Sequence, residues 1–164
     1  MKMVLNAEAD VQDKIVNYYD FFNLPVEYDI DDDKLSEAYI DAQHAWNNES
    51  ETEDNSLVYI NKAYETLKDP IARGAYFLTL HDENPEKMCS RAAIEMFDME
   101  DKYFSLKTEQ EKEAFQVKLA AQKELMLSDL KKITDRKEFL EVFAKARFID
   151  SFLKKVRSDV YNRN

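Results

Sequence analysis

A serine or cysteine nucleophile activated by histidine has little to draw on in this 164-residue chain: two histidines, His44 and His81, and one cysteine, Cys89. Covalent catalysis by a serine or thiol needs a base within hydrogen-bond reach of the nucleophile. His44 falls on the polar side of one helical pattern and His81 at the end of another, so both read as solvated side chains. Cys89 opens a further helical pattern and reads as an inert, half-buried thiol. A single cysteine excludes an intrachain disulfide and a thiolate metal cluster. The run Asp29–Asp33 alternates carboxylates as a calcium loop does, but such a loop requires Gly at its sixth position and Glu at its twelfth. Here those positions are Lys34 and Ile40. The same aspartates suit the cap and first turn of a helix, where carboxylates meet unpaired N–H groups. The chemistry points away from an enzyme and from a bound metal or cofactor.

The elements that carry these residues are helical by composition and by pattern. One Gly and three Pro in 164 residues leave too few turn formers for a sheet protein. A short apolar segment, Tyr18–Leu24, ends at Pro25. Leu35, Ala38, Tyr39, Ala42 and Trp46 then recur at the i, i+3, i+4, i+7 spacing of one buried helix face, and Leu57, Ile60, Ala63, Tyr64 and Leu67 form a second such stripe. The polar run between them, Asn47 to Ser56, makes the pair an antiparallel hairpin. Asp69-Pro70 starts a helix over Ile71–Leu80. The polar stretch His81–Lys87, with Pro85, reads as a domain break. Three more helices follow, near Met88–Phe104, Glu109–Lys131 and Thr134–Val160. Trp46, Tyr64, Tyr76 and Leu80 are expected in the core. The fold class is all-α, and residues 1–16 read as an extension.

Charge narrows the partners. Net charge is −11, of which −9 is concentrated in residues 29–55, where ten acids meet Lys34 alone. Such a surface repels nucleic acid and anionic lipid. No apolar run approaches the roughly 20 residues that span a bilayer. The opening MKMVLNAEAD has no secretory apolar core and is too acidic for a transit peptide. The expected setting is a reducing compartment, the bacterial cytoplasm, or the mitochondrial matrix for a trimmed mature form.

Three stretches carry a family likeness. NYYDFFNLPVEYDIDDDKL (17–35), INKAYETLKDPIARGAYFLTL (60–80) and KARFIDSFLKKV (145–156) resemble, in order and spacing, the HscB-type co-chaperones of iron–sulfur cluster assembly, J-domain proteins that serve a specialised Hsp70. The resemblance runs from about Asn17 to about Val160. It implies an L-shaped molecule: a J-like helical hairpin domain over 17–81, a linker over 82–87 and a C-terminal three-helix bundle over 88–164. It also implies two partners, an HscA-like Hsp70 and an IscU-like cluster scaffold.

The sequence departs from the family at one motif. After the residue matching Trp46, J-domains carry His-Pro-Asp; here the tripeptide is Asn47-Asn48-Glu49. The helix before it, basic in working J-domains, carries Glu37, Asp41, Gln43 and His44. Weak or absent stimulation of the Hsp70 ATPase is therefore expected. The scaffold-binding surface fares better: aligning RAAIEMFDMEDKYF (91–104) with the family puts it at Ala93, Ile94, Phe97, Asp98 and Asp101, with Phe148 from the last helix. Periodicity alone would make Phe97 and Phe148 ordinary core residues. Two further readings stay open: a J-like regulator that pairs with an active J-protein, and a helical interaction module that uses the acidic hairpin face.

Overall fold

The computed structural model describes residues 17–48 and 54–161, apart from the side chains of 46–48, 54–56 and 159–161. The expected extension, residues 1–16, lies outside the described residues, as do Glu49 and the side chains of Trp46, Asn47 and Asn48. Seven helices and no strand make up what is described: α1 (Tyr18–Phe21), α2 (Asp32–Asn48), α3 (Asp54–Lys68), α4 (Pro70–Leu80), α5 (Ser90–Ser105), α6 (Glu109–Leu130) and α7 (Arg136–Tyr161). The all-α class holds. The described residues form two compact units, one from 17–26 with those of 30–67, the other from 27–29 with 68–161.

The first unit holds α1–α3. Asp31 Oδ1 accepts from the backbone N–H groups of Asp33 and Lys34, both at 3.1 Å, so the aspartate run caps α2 as its sequence suggests. Leu35 from α2 and Ile60, Ala63 and Leu67 from α3 are buried, with Tyr19 and Phe22 at α1 and Leu24 and Ile30 in the extended stretch after it. Tyr39 and Tyr64 stack across the hairpin with ring centroids 4.0 Å apart. The Tyr39 hydroxyl donates to Asn61 Oδ1 at 2.9 Å and accepts from Gln43 Nε2 at 2.6 Å. Gln43 is thus half-buried and engaged inside the hairpin, and it drops out of the outward face that its neighbours form.

The second unit is built on α7, against which α4, α5 and α6 all pack. One cluster joins Tyr28, Leu78, Leu127, Leu130, Phe139, Phe143 and Ala146; another joins Met96, Tyr103, Leu119, Ile149, Phe152, Leu153 and Val156. The α7 residues in both recur every three or four positions, the signature of a helix buried along one side. The packing boundary falls between Leu67 and Lys68, earlier than the polar break at 82–87, because α4 buries Leu78 and Gly74 within this unit. Gly74, the sole glycine, faces Phe143: a Cβ there would sit 2.7 Å from Cδ2 and 3.3 Å from Cζ of the ring. Only a missing side chain lets α4 approach α7 so closely.

With no other glycine to spend, α1 and α4 end on left-handed residues of another kind, Asn23 (φ 52°) and Asp82 (φ 59°). At α4 the N–H of Glu83 returns to the carbonyl of Leu78 and that of Asp82 to Thr79, a Schellman closure. The linker is anchored as well, through an ion pair between Glu86 and Arg147 of α7. Leu80, expected in the core, is exposed, because the helix ends there and its face has turned outward.

Candidate docking site

Helix α5 carries two apolar faces. Cys89 caps it, its Sγ accepting from Ala92 N at 3.4 Å, and the thiol is exposed rather than half-buried because the cap lies at the open end of the helix. Ala92, Met96 and Tyr103 point inward, with Met99 packed beside them. Tyr103 also fastens α5 to α6, its hydroxyl accepting from Gln116 Nε2 at 2.9 Å. Glu95 ties α5 to α7 through Lys145 at 2.6 Å, and Arg91 reaches the same carboxylate at 3.2 Å. The hydrogen bond from Lys145 is the main reason that the Glu95 carboxyl titrates below its ordinary range.

These ties leave the opposite face bare. Ile94 is 61% exposed and Phe97 is 65% exposed, so Phe97 is not the core residue that periodicity alone suggests. Asp98 and Asp101 are exposed on the same face, and neither forms an ion pair with another described residue. Ala93 is half-buried beside them. Phe148, by contrast, sits on α7, half-buried against the cluster of Met96, Tyr103 and Phe152. The five α5 residues therefore share one side of the helix, and Phe148 stands half-buried on α7. Phe104, 62% exposed, extends the outward face and was not singled out in the sequence, although its seven-residue spacing from Phe97 is legible there.

The first unit shows a different surface. Glu37, Asp41 and His44 are exposed on α2 around Ile40, which is 51% exposed, and Lys34 lies 3.9 Å from Asp31. Of the tripeptide 47–49, the first two residues belong to the end of α2 and Glu49 lies outside the described residues. A proline at position 48 would disfavour helix at residue 47; asparagine imposes no such restriction, and α2 continues through it. Among the described residues no group of three or more His, Cys, Asp or Glu is placed to hold a metal ion, and no helix is long and apolar enough to cross a membrane.

Known proteins share this architecture. The crystal structure of the human co-chaperone HscB superposes with a TM-score of 0.72 over 90% of this chain and 83% of that one, at 18% identity. HscB from Vibrio cholerae gives 0.66 over 90% of this chain and 99% of that one, at 23% identity. A curated HscB homologue of V. cholerae is 35% identical over 74 residues, which are 40% of this chain and 43% of that protein. The chain is HscB-like in fold and in sequence. Homologues from Haemophilus ducreyi (36%) and Shewanella halifaxensis (38%) match 74 residues as well, again 40% of this chain. The matched stretch spans less than half the length of these curated relatives. No family model matches the chain. The HscB likeness agrees with the all-α J-domain-plus-bundle class that the sequence suggests.

Proposed function

We propose that this protein is an HscB-like co-chaperone of iron–sulfur cluster biogenesis that acts by binding, gripping an IscU-like cluster scaffold through α5 while stimulating its Hsp70 weakly or not at all. The observation that carries the reading is the outward face of α5, where Ile94 and Phe97 lie bare beside Asp98 and Asp101. Leaving a large apolar side chain in water forgoes about 1.5–3 kcal/mol of burial, which a partner can recover. The two carboxylates, without an ion pair among the described residues, select a partner whose surface is basic around an apolar patch. Ala93 and Phe148, both half-buried, are the remaining residues of the proposed scaffold-binding surface. In this reading residues 17–81 are the J-like domain of the family and Asn47-Asn48-Glu49 its altered motif. The setting is a bacterial cytoplasm, or a mitochondrial matrix for a trimmed form.

Calorimetric titration of the full chain with the scaffold of the same organism tests the grip. Phe97→Ala should weaken binding by about 1–2 kcal/mol, or roughly tenfold. Steady-state ATPase of the cognate Hsp70, with and without scaffold and this protein, tests the other half. Stimulation equal to that of a working J-protein would overturn it.

A second reading rests on Ile40, exposed among Glu37 and Asp41 on α2. It makes the acidic hairpin face the binding surface for an unrelated basic partner. Loss of partner binding on neutralising Glu37, Asp41 and Glu49, with Phe97→Ala silent, would favour it.

A further inference from the structure

The outward face of α5 does not stop at the residues that the family likeness marks. Ile94, Phe97, Asp101 and Phe104 follow at i, i+3, i+7 and i+10, so all four lie along one side of the helix. Phe97 and Phe104 are two turns apart, about 10 Å along the axis, with Asp101 between them. Phe104 is unlike Phe97 in one respect. Its ring, though 62% exposed, meets Tyr103 edge-on at 5.4 Å and Phe152 of α7 at 6.3 Å, both nearly perpendicular. Edge contacts of this kind hold the base of the ring while its outer face stays in water. Phe104 is therefore an anchor already set in place, and setting it costs a partner little side-chain entropy.

We propose that Phe104 is a second anchor of the α5 docking surface, engaged by the same scaffold-type partner. This rests on the reading of α5 as the scaffold-binding face. Three side chains more than half exposed offer apolar surface on the order of 300 Å², the size at which an apolar patch on a monomer is commonly functional. The charge pattern defines the occupant further. An acid with no ion-pair partner among the described residues lies between two aromatic rings, so the complementary surface has two apolar pockets about 10 Å apart with a lysine or arginine between them.

The test is calorimetric titration of the full chain with the cluster scaffold protein of the same organism, comparing wild type with Phe97→Ala, Phe104→Ala and, as a control on another helix, Val117→Ala. The expected result is a five- to twentyfold loss of affinity for Phe104→Ala, a loss for Phe97→Ala, and no change for Val117→Ala. If Phe97→Ala weakens binding and Phe104→Ala stays within twofold of wild type, the second anchor is overturned and the α5 reading survives. If wild type does not bind the scaffold, the α5 reading fails and the anchor with it. Because Phe104 also touches Phe152, circular dichroism checks that Phe104→Ala is folded. Should it not be, a photoreactive benzoylphenylalanine at position 104 replaces it: a crosslink to the scaffold supports the anchor, and none overturns it.

Discussion

Lys145 Nζ on α7 lies 2.6 Å from Glu95 Oε2 on α5, and Glu95 stands between an outward residue, Ile94, and an inward one, Met96. The pair thus sits on the seam between the two faces of α5. Hydrogen bonding from Lys145 lowers the pKa of Glu95, so the pair's stabilisation is present above the ordinary carboxylate value of 4.5 and disappears as pH falls through the lowered one. Lys145→Gln should return the Glu95 titration, followed by carboxyl NMR, towards its usual position. The gap in thermal stability between the variant and wild type should narrow under acid. An unchanged Glu95 titration in the variant would count against the contact.

Gly74→Ala sets two effects against each other. Alanine gains up to about 1 kcal/mol of helix propensity over glycine. Its methyl group, however, would stand 2.7 Å from Cδ2 of Phe143, a fully buried ring with Phe139 stacked at 6.3 Å. Overpacking of this kind costs roughly 1–3 kcal/mol, so the net change is destabilising. Urea unfolding should show a lower midpoint; an unchanged or higher one means that α4 and α7 can separate freely.

Much of this was legible in the sequence, and the limits have physical causes. Each helix of ten residues or more lies within a few residues of its expected span, since the 3.6-residue stripe and the caps at Asp31 and Asp69 are local signals. Membership of the packing units was not. The polar stretch 82–87 resembles a divider in composition, yet Leu78 and Gly74 bury α4 with the helices that follow. Helix periodicity also misjudges α5, because a helix with apolar residues on both sides has two stripes and only tertiary contacts say which is covered. The family likeness picked out Ile94 and Phe97, and the inward ties of Met96 and Tyr103 account for their exposure. Phe104 carried no family signal, and its exposure depends on Tyr103, its immediate neighbour, taking the inward position.

Tyr28 predicts an alkaline transition. Its ring packs on Phe139 at 5.2 Å beneath the Arg73 guanidinium at 5.3 Å, and its buried hydroxyl has no hydrogen-bond partner among the described residues. Burial, partly offset by Arg73, raises its pKa from 10.0 to about 12. Between those values the unfolded chain has lost the proton and the folded one keeps it, so stability falls as pH rises, by roughly 2–3 kcal/mol in all. Tyr28→Phe should remove that part of the alkaline loss. At neutral pH it should be neutral or stabilising by about 1 kcal/mol, because an orphaned hydroxyl is deleted. Paired denaturation curves at pH 7 and pH 11 measure both.

In the HscB-like reading proposed above, writing the J motif into the chain separates two obstacles to Hsp70 stimulation. Replacing Asn47-Asn48-Glu49 by His-Pro-Asp supplies the missing tripeptide, but leaves Glu37 and Asp41 exposed on α2. In the HscB-like reading that helix must meet an acidic groove. Like charges across an interface cost on the order of 1 kcal/mol or more per pair, about tenfold in affinity for each 1.4 kcal/mol. The motif alone should therefore leave the ATPase close to its basal rate, and so should Glu37→Lys with Asp41→Lys alone. Only the combination should stimulate, with the gain strongest at low salt, where the attraction of the new lysines to the acidic groove is least screened. Full stimulation from the tripeptide alone would show that the acidic face of α2 is no barrier and that residues 47–49 alone set the activity.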